Sequence, residues 1–163
     1  MRPLRERLAA GDVLVGDGAM GTMLFERGLP PGEPPETVTL TRPEVLEEIA
    51  RLYRDAGADL LETNTVGGSP LKLELHGLAD ETDAVNRGAV RAVRRVAEGR
   101  AYVVASVGPS GRLLEPYGDT TPEVMAESYR RQLEALAAAG VDASQRRPTR
   151  PFTTSTALPA SKP

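Results

Sequence analysis

Short apolar runs alternate along this chain with stretches in which apolar residues recur at helical spacing. The run Val13, Leu14 and Val15 predicts a first buried strand. Thr41 followed by Glu44 then has the form of a capping box, with Thr41 as N-cap. Val45, Leu46, Ile49, Leu52, Tyr53 and Ala56 follow on one helical face, and Gly57 is a natural stop. A second strand is expected within residues 59–65, ending in Glu62-Thr63-Asn64-Thr65. Ser69-Pro70 opens a short helix that runs to about Leu75, and Thr82 caps a longer one carrying Val85, Ala89, Val93 and Val96. Residues 101–107 are apolar and β-branched and predict a third strand. Thr120 with Glu123 repeats the capping box ahead of Met125, Tyr129, Leu133 and Leu136, Gly140 ends that helix, and Val141-Asp142 begins a fourth strand.

This alternation implies an α/β fold of parallel strands joined by crossover helices. A closed (β/α)8 barrel and a doubly wound open sheet both satisfy it. Glycine-rich segments at 16–21, 64–69 and 108–118 each follow a predicted strand, which gathers them on the C-terminal face of the sheet. Ligand sites lie on that face in both architectures. A phosphate-cradling reading of these loops is weak, because neither a Gly-x-Gly-x-x-Gly run nor a Walker A run occurs.

Composition narrows the function classes. The 163 residues have room for one domain with a real core, and their 40% hydrophobic and 26% charged content is that of a soluble globular protein. With aromatics at 4% and no Trp, a base-stacking platform is not expected, and a net charge of −3 gives no reason to expect nucleic acid. No apolar run approaches the roughly 20 residues a bilayer demands, and the start lacks a secretory apolar region, so no membrane partner and a cytoplasmic location are expected. Cysteine is absent and His76 is the single histidine, which leaves this chain poorly equipped to hold a metal; no metal ligand is assigned.

Residues 144–163 belong to a different population. They are rich in Pro, Thr, Ser and Arg, carry no acid and show no apolar periodicity. The domain is therefore expected to occupy 1–143, with 144–163 a disordered tail or an out-of-frame reading of a GC-rich gene. Such a tail interrupts the pattern where the fourth strand should continue.

Five residues carry the candidate binding chemistry. Asp17 stands at the tip of the first strand in Asp17-Gly18-Ala19-Met20-Gly21-Thr22, and Gly18 permits close backbone approach to a ligand or simply a tight turn. Thr63 and Asn64, at the second strand tip, either orient a substrate or satisfy local backbone groups. Glu62 is set aside on the grounds of strand alternation. Ser106, before Gly108-Pro109-Ser110-Gly111, lines the mouth of the site or shapes its loop. His76 is read as a residue at a helix end, and Arg91, Arg94 and Arg95 as a solvated helix face.

Taken in order, these motifs resemble a known family. Asp17-Gly18-Ala19-Met20-Gly21-Thr22, Leu40-Thr41-Arg42-Pro43-Glu44-Val45, residues 56–65, His76-Gly77-Leu78, Ser106-Val107-Gly108-Pro109-Ser110-Gly111 and Pro116-Tyr117-Gly118 are similar to the opening of the homocysteine-binding domain of cobalamin-dependent methionine synthases, over about residues 10–142. The resemblance implies a (β/α)8 barrel, of which this chain holds the first three to four units. It implies homocysteine as substrate, with Asp17 on its amino group. In the family a Zn²⁺ held by three cysteines binds the substrate sulfur as thiolate, while cobalamin and methyltetrahydrofolate work on other domains. None of those cysteines exists here, and Val66 stands where the family usually has Phe. The expected function is that of a homocysteine S-methyltransferase segment whose partner is the missing C-terminal part of the enzyme. The alternative is a truncated, non-catalytic fragment without a zinc site.

Overall fold

A computed structural model describes residues 1–146 of the chain. In it the periodicity of two long helices and one wholly buried strand organises the packing. The elements are α1 (Leu4–Ala9), α2 (Gly21–Glu26), α3 (Thr37–Thr41), α4 (Pro43–Asp55), β1 (Leu60–Glu62), α5 (Pro70–Glu74), a 3₁₀ turn (Ala79–Glu81), α6 (Thr82–Ala97), β2 (Tyr102–Val107), α7 (Pro122–Ala138) and β3 (Ala143–Arg146). The sheet is parallel, in the order β1-β2-β3, with Leu60 opposite Tyr102 and Val104 opposite Ala143. All six residues of β2 are buried, as a strand covered on both faces must be.

Two apolar clusters hold the layers together. One joins Leu61, Val103, Ala105 and Val107 of the sheet to Val90, Val93 and Val96 of α6 and Leu136 of α7. The other joins Leu24, Leu29 and Val38 to Leu46 and Ile49 of α4 and Ala92 of α6. Leu46 and Ile49 are fully buried, and each such side chain contributes about 1.5–3 kcal/mol relative to exposure. Among the described residues no helix is long and apolar enough to cross a membrane.

Several local expectations are corrected. Residues 13–15 form no strand: the segment makes a single parallel bridge, Gly16 to Leu60, with Val15 O accepting from Leu60 N and Asp17 N donating to Leu60 O. Val13 is 90% and Val15 57% exposed, since no layer of the described residues covers them. Thr41 does not cap α4. It ends α3, its hydroxyl donating to Thr37 O, while Arg42 is the N-cap ahead of Pro43. Proline suits the first helical position and forces its predecessor out of the helical conformation, so the helix begins at Pro43 and its cap falls on Arg42. Thr82 lies inside α6 and donates to Ala79 O, closing the 3₁₀ turn. The cap of α7 is Thr121, whose hydroxyl accepts from Val124 N, one residue after Thr120.

The fourth predicted strand begins at Ala143 rather than Val141. Asp142 instead anchors its entry, accepting from Val103 N at 2.7 Å and from Arg94 at 2.9 Å. Pairing continues past residue 143, with Ser144, Gln145 and Arg146 opposite Ala105, Ser106 and Val107. Backbone ladder bonds do not read side-chain composition, so three residues that composition groups with the tail run in the sheet. The remainder of that segment, 147–163, lies outside the described residues. Arg94 and Arg95 are also more than a solvated face: they bridge to Asp142 and to Glu47 of α4.

Candidate functional site

The loops leaving the C-terminal ends of the strands enclose a cavity of about 470 Å³, and Asp17, Gly18, Thr63, Asn64 and Ser106 all line it. Parallel pairing explains the convergence, because every strand delivers its exit loop to the same edge of the sheet. Asp17 Oδ2 accepts from Glu62 N at 2.8 Å, so the first loop is tied to the tip of β1. Gly18 packs against Tyr53, whose hydroxyl donates to Ala19 O. A Cβ at Gly18 would lie 3.2 Å from that hydroxyl, so a close approach as well as a turn calls for glycine.

Thr63 and Asn64 are engaged with neighbouring segments. The Thr63 hydroxyl meets that of Thr65 at 2.6 Å, and Thr65 donates to Ser106 O. The Asn64 amide donates to Pro35 O at 2.7 Å. Of the two readings of these residues, the hydrogen bonds on view belong to loop positioning. Ser106 donates its hydroxyl to the Glu62 carboxylate. Glu62 therefore belongs to the lining, against the expectation from alternation. β1 ends at Glu62, so the pleat does not continue beyond it to place Thr63 and Asn64 on opposite sides.

Glu36 is the lining residue that sequence reasoning missed. It is 4% exposed and accepts from Gly67 N at 2.6 Å. Burial pushes its carboxyl above the usual range, against the opposing pull of the Gly67 N–H and the Lys72 and His76 charges. No apolar periodicity surrounds Glu36, and it offers no local signal. Asn86 and Gln132 were missed as well. Both are fully buried; Asn86 donates to Gly68 O and Gln132 to Thr65 O, so α6 and α7 hold the loop from behind. Their signal was legible: each is a polar residue on the buried stripe of its helix, Asn86 with Val90 and Val93, Gln132 with Ser128 and Leu136.

The cavity thus presents the carboxyl groups of Asp17, Glu36 and Glu62, while no Lys, Arg or His is among its lining residues. A concave site of that sign attracts a small cation, such as an ammonium group. His76 lines a smaller adjoining cavity of about 340 Å³ instead, beside Lys72 and on the far side of Glu36. Among the described residues no group of three or more His, Cys, Asp or Glu is arranged to hold a metal ion.

A profile of the homocysteine S-methyltransferase family matches residues 14–145, a span that includes all of these site residues. The chain belongs to the homocysteine S-methyltransferase family. It is 40% identical over 146 residues to a methionine synthase of Mycobacterium leprae, a match covering 80% of this chain and 12% of that protein. It is 31% identical over 146 residues to betaine–homocysteine S-methyltransferase 1 of Danio rerio, covering 86% of this chain and 36% of the relative. The metallated form of the homocysteine methyltransferase MmuM from Escherichia coli superposes with a TM-score of 0.75 at 28% identity, over 89% of this chain and 57% of that one. The chain therefore spans about an eighth of the methionine synthase and little more than half of MmuM.

Proposed function

We propose that the cavity binds homocysteine, with Asp17 accepting from the substrate ammonium, and that the chain is the first part of a (β/α)8 barrel of the methionine synthase type. The observation that carries the substrate reading is that the ionisable side chains lining the cavity, Asp17, Glu36 and Glu62, are all carboxyls, at the C-terminal edge of a parallel sheet and within the matched family span. Homocysteine is an amino acid, so its recognition needs an acceptor for the ammonium. Asp17 is tied to Glu62 N through Oδ2, which orients the carboxylate without spending its charge. Gly18 leaves backbone room beside it.

The methyl transfer needs a thiolate. In the family, zinc supplies it by lowering the thiol pKa. The residues present do not fit that metal: the chain has no cysteine, and its acids form no metal-binding cluster among the described residues. No step of the transfer is therefore assigned to this chain. Its own contribution is substrate recognition. Zinc ligation is left to the part of the barrel that would complete it, and the cobalamin and methyltetrahydrofolate chemistry to further domains. The missing cysteines equally favour the second reading, a fragment that is non-catalytic by itself.

Calorimetric titration of homocysteine into the wild-type chain and into Asp17→Asn tests the reading. Asparagine keeps an oxygen for Glu62 N and removes the charge. The loss should be about 1.5–3 kcal/mol, the range for a hydrogen bond to a charged group, or a Kd weaker by roughly tenfold or more. No binding by the wild type at millimolar homocysteine would remove the substrate reading. Equal affinities would remove Asp17 from it.

A further inference from the structure

The loop of residues 63–69 carries Thr63 and Asn64, and it contains adjacent glycines, Gly67 and Gly68. Such a loop has little side-chain bulk with which to hold its own shape. From behind it is held by Asn86 on Gly68 O and Gln132 on Thr65 O. On the cavity side the contacts come from the segment 34–36, where Pro35 O receives the Asn64 amide and the Glu36 carboxylate receives Gly67 N–H. The fit is close. A Cβ on Gly67 would lie 2.9 Å from Glu36 Oε1 and 3.0 Å from its carboxyl carbon, so the glycine is what lets the carboxylate seat against the backbone.

We propose that Glu36 is a positioning residue of the site. Through its hydrogen bond to Gly67 N–H it holds the 63–69 loop in the conformation that forms the binding cavity. Glu36 also forms the wall shared by the two adjoining cavities, together with Pro35 and Val66. A carboxyl group is costly to bury, and this one is buried at a point where its acceptor bond, rather than its contact with solvent, does the holding. The inference rests on the homocysteine reading only for the identity of the ligand; the claim about the loop stands apart from it.

The test compares the wild type with Glu36→Ala, which removes the acceptor, and Glu36→Gln, which keeps an oxygen in its place. Hydrogen exchange is followed at Thr65 N and Gly68 N, whose bonds to Thr63 O and Thr65 O lie within the loop and do not involve Glu36. Both amides should exchange about tenfold faster or more in Glu36→Ala, the scale of losing a hydrogen bond to a charged group, and should return to within about threefold of wild type in Glu36→Gln. Homocysteine affinity should follow the same order. Unchanged exchange in Glu36→Ala would overturn the proposal. So would a Glu36→Gln variant as impaired as Glu36→Ala in both readouts, because the charge and not the bond would then matter. A wild type that takes up no homocysteine would sink the substrate reading instead, and the exchange data would still decide the role of Glu36.

Discussion

Replacing Gly68 with alanine is the sharpest probe of the buried network behind the site. The added Cβ would lie 2.5 Å from Asn86 Oδ1 and 2.9 Å from Gln132 Nε2. Ordinary contact begins near 3.4 Å, so the Asn86 side chain would have to move by nearly an ångström. Neither neighbour is free to do so. Asn86 Nδ2 donates to Gly68 O and Thr82 O, each at 2.7 Å, and Gln132 Nε2 donates to Thr65 O at 2.7 Å; both residues are fully buried. A shift of that size breaks at least one of these bonds and leaves a buried group unsatisfied, which costs about 1–3 kcal/mol. Overpacking adds a comparable amount, offset by about 0.4–1 kcal/mol because alanine restricts the unfolded chain. The net loss should be about 2–4 kcal/mol in urea unfolding at neutral pH. Gly21→Ala is the control, since a Cβ there meets nothing within 4 Å; it should change stability by no more than about 1 kcal/mol. The steric account also demands coupling. Adding Asn86→Ala, which deletes the clashing oxygen, should make the Gly68→Ala loss smaller by about 1 kcal/mol or more. A Gly68→Ala chain as stable as the Gly21→Ala control would refute the reasoning.

Glu36→Gln should also alter the pH dependence of stability. Burial raises the Glu36 carboxyl above its ordinary value, so wild type loses stability as pH rises from that value through the folded one, and glutamine does not. The two melting temperatures should agree in acid and separate at neutral pH, with glutamine higher; a gap independent of pH would contradict this. Asp59 shifts the other way, held below the usual carboxylate range by Val15 N–H and by Arg7. Its contribution is present above the ordinary carboxylate value and disappears as pH falls through the folded one, so proteolytic cutting within 12–17 should accelerate on acidification in wild type and be fast at all pH values in Asp59→Ala. Finally, β3 pairs only with β2 among the described residues, and unpaired strand edges recruit partners. Light scattering after size exclusion should show association; a clean monomer with a cooperative melt would count against an open edge.

Much of the architecture is legible in the sequence because it depends on local periodicity. The apolar stripes of α4, α6 and α7 and the continuous run of β2 are written in residue spacing, and parallel pairing then sends the loops bearing Asp17, Thr63, Asn64 and Ser106 to one edge. Helix starts were less legible. A Thr-x-x-Glu pattern specifies a cap only if the backbone can adopt it, and Pro43 and Pro122 moved the actual N-caps to Arg42 and Thr121. Burial of residues 13–15 could not be read locally either. Apolar character says that a segment would gain from a neighbouring layer, not that one is present, and Val13 remains exposed. Asp17 and Glu62 are separated by 45 residues and meet where the Glu62 backbone N–H donates to the Asp17 carboxylate, while Glu36 meets Gly67 across 31. Sequence alone thus determined the long helices, the central strand and the parallel sense of the pairing, and with it the edge to which the loops converge, because side-chain periodicity and strand direction are properties of the chain. Only the tertiary structure decided which acids face the cavity and what holds its loop, because those depend on contacts between segments distant in the chain, where neither period nor motif carries information.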